Sequence, residues 1–231
     1  MKTAIASLAL IVSSTVSAND IPADFVDVAS LIPTVQVKMA YVGQHNFVGT
    51  PVDGYEANKC YLQQQAAWAL VQVQVAAQAK GYSLWIFDCY RPQRAVNHFM
   101  RWAADLTDTR TKAQYYPNLG KDQLVGEYIA EKSGHSRGST IDLTLAKQDE
   151  QGSWRPIDMG SPFDMFDPVS NVSAAGISAE QMANRQLLEN LMQQGGFKVY
   201  SMEWWHFTHQ PPAYTDTYFD FVVREATIKK P

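Results

Sequence analysis

An α+β fold is predicted, a single domain in which helices flank an antiparallel-rich sheet, and three features of the sequence predict it. Apolar residues recur at helical spacing near 58–80 and again after residue 178. Short runs of strand character lie at 82–87, 139–145, 197–200 and 203–208. These helices and strands mix without the regular alternation that builds a parallel βαβ sheet. No repeat, low-complexity tract or Pro/Gly/Ser-rich linker divides the chain.

The elements follow in order. Lys2, an apolar run from Ala4 to Val12 and the small residues Val16-Ser17-Ala18 form a secretory signal-peptide pattern over 1–18. The run is too short to span a bilayer, and no later segment is apolar enough to do so. The folded domain is therefore expected over 19–231, exported across the inner membrane to the periplasm. In 58–80, Leu62, Ala66, Ala69, Leu70, Val73 and Ala77 mark one helix face, and Gly81 stops it. The nearly continuous apolar run 82–87 reads as a buried strand. Asp88-Cys89-Tyr90-Arg91 stands at its end, and Pro92 suits the first position of the next helix, whose apolar face is Val96, Phe99, Met100 and Ala103. The stretch 107–120 reads as polar and irregular. In 139–145, Ile141, Leu143 and Leu145 alternate with Thr140, Asp142 and Thr144, which puts Asp142 on the polar face of a strand whose other face is core. A Gly- and Pro-containing excursion, 148–172, has the length of a loop that covers a site. Ser178 with Gln181 forms a capping box opening a helix that stops at Gly195-Gly196. Strands follow at 197–200 and 203–208, with 218–223 as a further candidate.

Composition limits the function. The 231 residues are 46% hydrophobic and 18% charged, enough apolar surface to exclude a disordered chain. A net charge of −4 argues against nucleic-acid binding, which needs a basic footprint. Export permits a disulfide between the two cysteines, Cys60 and Cys89; one bridge or two buried thiols both fit the pattern.

Of the five histidines, two keep unusual company. His135 lies in Ser133-Gly134-His135-Ser136-Arg137-Gly138, where glycines allow turns that fold it back over the polar face carrying Asp142. His206 closes Glu203-Trp204-Trp205-His206. Two histidines and a carboxylate make a zinc site with an open fourth position, the catalytic pattern. In a regular strand Glu203 and His206 would face opposite ways; a bulge or tight turn at the tryptophans would turn both inward, leaving Glu203 as general base. The plainer readings are a solvated Glu203 and a hydrogen-bonded strand histidine at His206, and the joint occurrence with His135 and Asp142 tips the balance toward a site. Arg91 could stabilise an oxyanion, or simply pair with Asp88, or be oriented by it while doing so. His45, His98 and His209 are read as structural, His209 being the nearest rival to His206.

At these residues the chain resembles the zinc D,D-peptidases of the VanX type, the D-alanyl-D-alanine dipeptidases. The resemblance is carried by Ser133-x-His135-x-x-Gly138-x-x-x-Asp142 and Glu203-Trp204-Trp205-His206, and extends to Thr50-Pro51-Val52-Asp53-Gly54-Tyr55-Glu56, Tyr90-Arg91-Pro92, Arg101-Trp102-Ala103-Ala104, Gln114-Tyr115-Tyr116-Pro117-Asn118 and Ile141-Asp142-Leu143-Thr144-Leu145. It implies the α+β fold shared by D,D-peptidases and the Hedgehog signalling domain. It also implies a single zinc ion on His135, Asp142 and His206, with Glu203 as base and Arg91 stabilising the tetrahedral intermediate. Asp88, Tyr41, Tyr55 and Ser133 match positions lining a small substrate cavity. The implied reaction is hydrolysis of D-Ala-D-Ala to two D-Ala. Asp167-Pro168-Val169-Ser170 departs from the family's Glu-Arg-Ser-His, which predicts a different covering loop. Three rivals remain open at this point: a carboxypeptidase or endopeptidase acting on peptidoglycan stem peptides, a zinc-stabilised module without catalysis, and a metal-free secreted globular protein. The oligomeric state is open as well.

Overall fold

The fold is seen in a computed structural model that describes residues 20–225; the expected signal peptide lies outside them. Phe25–Asp27 (β1) leads into one helical turn, Val28–Leu31 (α1), and a two-residue strand, Gln36–Val37 (β2). Tyr61–Gln63 (β3) runs directly into Gln64–Gln78 (α2), followed by Ser83–Asp88 (β4) and Gln93–Ala104 (α3). Two single-turn helices follow, Lys112–Tyr115 (α4) and Lys121–Leu124 (α5). Next come Thr140–Gln148 (β5), Trp154–Pro156 (β6) and Ala179–Gln194 (α6). Phe197–Tyr200 (β7) and Glu203–His209 (β8) complete the set.

β1 and β3 pair antiparallel as a small separate sheet, while the six-stranded main sheet runs β2-β4-β5-β8-β7, with β6 on the far end of β5. Among the strand pairs of the described residues only β2–β4 is parallel, so the antiparallel-rich α+β expectation holds. Cross-strand pairs share a face. Ile86 opposite Leu143, and Ile141 opposite Phe207, therefore belong to one apolar face. All four are fully buried there, and α2 and α6 pack together over this side. The opposite face carries Asp142 and His206.

Several expected elements need correction. The helix read over 58–80 begins only at Gln64, because Tyr61 and Leu62 bury their side chains by pairing with Asp27 and Val26 instead. Leu62 keeps step with the helical rhythm by coincidence, and Cys60 precedes a strand rather than opening a helix. Pro92 caps α3 from outside, with ψ 145, rather than standing inside it. The 107–120 stretch is not irregular throughout, since α4 lies within it and buries Tyr115. Residues 218–223 form no strand; Val223 makes a single bridge to Tyr55, and Phe221 stacks on Tyr90 at 3.8 Å. The polar face of β5 is not open to water: Thr140, Asp142 and Thr144 are each at most 2% exposed.

The capping box is present as expected, with Ser178 Oγ accepting from Gln181 N and Gln181 Oε1 accepting from Ser178 N. Cys60 and Cys89 are bridged, with Cα atoms 5.3 Å apart and a sequence separation of 29. Closing a loop of that size is worth about 3–4 kcal/mol through the denatured state's entropy.

Candidate metal centre and active site

Local irregularities of backbone assemble the site. The turn Gly134–Arg137 is 3₁₀, nucleated by Ser133 Oγ accepting from His135 N at 3.2 Å. Gly138 ends it at φ +82, and a Cβ there would lie 2.4 Å from the Phe25 ring. This tight exit lets the chain pass from His135 into β5, which presents Asp142. A register shift between Ile86 and Asp88 sets Asp88 opposite Asp142. The bulge expected at Trp204-Trp205 is also there: Val199 pairs with Phe207 and the next residue, Tyr200, with Glu203. The looped-out residues bring Glu203 and His206 to the same side.

The result is a tight cluster. His135, Asp142 and His206 each offer one ligand atom within 4.8 Å of the others. His135 Nε2 is 3.2 Å from Asp142 Oδ2, and His206 Nδ1 is 3.1 Å from Asp142 Oδ1. The two imidazole nitrogens face each other at 3.3 Å. His135 Nδ1 is 2.6 Å from the Cys89 carbonyl, an acceptor, so Nδ1 carries the proton and Nε2 points its lone pair into the cluster. Burial depresses the His135 pKa and favours this neutral form. Burial alone would raise Asp142, but the imidazoles beside it hold it below the ordinary carboxylate range. Asp142 Oδ1 is buried with no donor aligned on it. Two imidazole nitrogens beside one carboxylate, whose Oδ1 is left without an aligned donor, form a donor set that fits a zinc-type cation.

Glu203 Oε2 lies 3.5 Å from His206 Nδ1. Burial pushes its carboxyl up to about 7. Arg91 Nε donates to Asp88 Oδ2 at 2.9 Å and Nη2 to Asp142 Oδ2 at 3.4 Å. Its guanidinium lies over the faces of Tyr41 and Phe99, at 5.3 and 5.1 Å from the ring centres. A cavity of about 300 Å³ opens onto Asp142, Glu203, His206 and Arg91, at the lower end of the roughly 300–1,000 Å³ usual for small-molecule sites.

Tyr41 and Ser133 line this cavity, whereas Asp88 and Tyr55 do not. Those two stand behind Arg91, with the Tyr55 hydroxyl donating to Asp88 Oδ1 at 2.6 Å; they hold the guanidinium rather than form the wall. His209, the rival to His206, packs its ring on Phe197 and is no part of the cluster. The 148–172 excursion does cover the site, as Asp164 and Phe166 line the cavity. Asp167, one of the departing residues, accepts from Val169 N and from Asn118, and so ties down the end of that cover.

Asp164 escaped the sequence reading. It is 4% exposed, sits at φ 62, and shares the single Tyr41 hydroxyl proton between its two oxygens, at 3.0 and 3.1 Å. Among the described residues no Lys, Arg or His forms an ion pair with it. Burial, reinforced by the Asp142 charge, holds its carboxyl well above the usual range. The sequence signal was its place in the predicted covering loop, after Pro162-Phe163.

The family model for M15 peptidases, described as D-Ala-D-Ala dipeptidase, matches residues 22–224. A D-alanyl-D-alanine dipeptidase of Enterococcus faecium is 43% identical over 185 residues, spanning 80% of this chain and 90% of its own. One from Streptomyces coelicolor is 40% identical over 201 residues, 87% of this chain and 98% of its own. One from Escherichia coli K12 is 35% identical over 184 residues, 80% and 83% respectively. Matched along nearly its whole described length, the chain belongs to the D-Ala-D-Ala dipeptidase family of the M15 peptidases.

Proposed function

We propose that the chain is a zinc-dependent dipeptidase that cleaves free D-Ala-D-Ala into two D-Ala. The observation that carries this reading is the convergence of His135, Asp142 and His206 within 4.8 Å at the floor of a small cavity shared with Glu203 and Arg91. His135 Nε2, His206 Nδ1 and an Asp142 oxygen would hold the zinc ion. Bound there, zinc polarises a carbonyl and makes water nucleophilic at neutral pH. Glu203 takes the proton from the attacking water and delivers it to the leaving amine. Arg91 receives the negative charge that develops on the carbonyl oxygen. Asp88 and Tyr55 keep its guanidinium aimed, and Phe166 with the rest of the covering loop limits water around the reacting bond.

The cover also accounts for a free dipeptide as substrate. Both charged ends must be met inside a cavity of about 300 Å³. Asp164, a buried carboxyl with no cation of its own, suits the substrate ammonium, whose arrival would restore its charge. Asp164→Asn should raise KM about 10–100-fold, the worth of one charge-assisted hydrogen bond, with kcat changed less. Steady-state kinetics read the split, and an unchanged KM would remove Asp164 from the binding site.

The test of the whole reading is a substrate panel run with and without a chelator. Free D-Ala-D-Ala should be hydrolysed, intact muropeptides spared, and activity should vanish on chelation and return with zinc. Turnover of muropeptides at the dipeptide's rate would favour the carboxypeptidase or endopeptidase alternative. Export to the periplasm is supported by the 1–18 pattern and by the Cys60–Cys89 bridge, which persists in oxidising compartments. Among the described residues no helix is long and apolar enough to cross a membrane.

A further inference from the structure

We infer that the Cys60–Cys89 disulfide positions the metal centre, by holding the Cys89 carbonyl on which the His135 ring is oriented. The bridged half-cystine sits inside the densest stretch of the site. Asp88 on one side accepts from Arg91 Nε and from Tyr55, and Arg91 follows two residues later. Cys89 itself offers no side chain to the cavity. Its carbonyl accepts from His135 Nδ1 at 2.6 Å, and Arg91 N donates back to the His135 carbonyl at 3.4 Å. A ligand histidine takes its tautomer and direction from such an acceptor, and loss of the acceptor typically weakens metal binding about 10–100-fold.

The sheet does not fix that carbonyl. The β4–β5 ladder shifts register after Ile86 and makes its last pair at Asp88. Beyond it, residue 89 is held by the covalent bond to Cys60, whose own carbonyl accepts from Val28 N at 2.8 Å, and by the neighbouring Tyr90 N→Tyr61 O hydrogen bond at 2.9 Å. Both cysteines are fully buried. The crosslink thus fastens the end of β4, where the ladder runs out, to the small sheet of β1 and β3. A chain not yet oxidised would hold its metal more weakly than the exported form.

This inference rests on the metal-site reading above, and the test separates the two. Zinc affinity is measured by chelator competition for the unaltered protein, for C60A/C89A and for Val73→Ala, a core substitution in α2 that lowers Tm without touching the site. Absence of zinc binding by the unaltered protein would defeat the metal-site reading itself. Given binding, C60A/C89A should lose up to about 10-fold in affinity, the lower end of what losing the acceptor costs, because the backbone carbonyl remains but is no longer held, and Val73→Ala should lose none. A double variant with the unaltered protein's affinity, or an equal loss in Val73→Ala, overturns the positioning role. If C60A/C89A does not fold, the folded zinc-loaded protein is treated with a water-soluble phosphine. Two electrons and two protons convert the bridge to two thiols, and the phosphine leaves as its oxide with oxygen from water. Zinc should then appear in step with the thiols and ahead of any loss of far-UV circular dichroism. Zinc retained after both thiols appear, or released only on unfolding, rejects the inference.

Discussion

Glu203→Gln should lower kcat by about 10²–10⁴-fold, the usual worth of a positioned general base, and leave zinc stoichiometry unchanged. Gln keeps the shape and the polar reach of the side chain but cannot accept the proton of the attacking water. Glu203 stands 3.5 Å from His206 Nδ1 and is not itself among the three converging donors. Metal analysis beside kinetics therefore separates the roles, and turnover near the unaltered rate would end the base assignment. A stability effect of opposite sign should accompany the loss. Burial raises the Glu203 carboxyl from 4.5 to about 7 in the metal-free protein, with the Asp142 charge adding to the rise and His206 opposing it. An acid whose folded pKa is raised costs nothing below its unfolded value and its full penalty above its folded one. Metal-free Glu203→Gln should therefore melt higher than the unaltered metal-free protein at pH 8 and with it at pH 4. Equal Tm values at pH 8 would show that the buried charge is relieved by something else. A side chain that destabilises its own fold yet is suited to proton transfer near neutral pH is what a catalytic carboxyl requires.

Much of this centre is legible in the sequence because its signals are local. Small residues around His135 announce a turn, alternation places Asp142 on a strand, and the capping box of Ser178 and Gln181 opens α6. The bulge at Trp204-Trp205 follows from a conflict, since a spacing of three cannot bring Glu203 and His206 inward on a flat strand. What the sequence conceals is long-range. Tyr61-Leu62-Gln63 belongs to a strand because Phe25–Asp27 lies beside it, and nothing within 58–80 records that neighbour. The burial of Thr140 and Thr144 depends on elements distant in the chain, so alternation marks them as a polar face without marking them as covered. Asp164 is invisible for the same reason: an Asp in a Gly- and Pro-containing loop reads as solvated until Tyr41, 123 residues away, closes on it. Asp88 and Tyr55 show the same dependence on distance: the resemblance matched them to positions around a substrate cavity, and their hydrogen bonds reach the cavity through Arg91, the orienting role the sequence also allowed for Asp88.

Arg91→Ala should lower kcat by about 10²–10³-fold, the cost of removing one oxyanion donor, with little change in KM. The guanidinium is held from three sides, by Asp88 at 2.9 Å, by Asp142 at 3.4 Å and between the rings of Tyr41 and Phe99. Its reach is thereby fixed, and donors not spent on these carboxylates remain for the cavity it lines. A contact that strengthens only as charge develops on the substrate oxygen acts on kcat rather than on ground-state binding. The same substitution strips a cation from fully buried Asp88, and one charge left alone inside a protein costs about 3–5 kcal/mol. A fall in Tm is therefore expected as well and does not by itself identify the role. Two further readings do. Guanidinium ion added at non-denaturing concentration should restore part of kcat in Arg91→Ala, because the cavity left behind keeps both carboxylates and both aromatic walls. Arg91→Lys should recover stability more fully than rate, since a single ammonium supplies the charge but cannot bond Asp88, Asp142 and the substrate oxygen together. A loss confined to KM, or a Lys variant with full kcat, would reduce Arg91 to the ion pair with Asp88 that the sequence alone equally allowed.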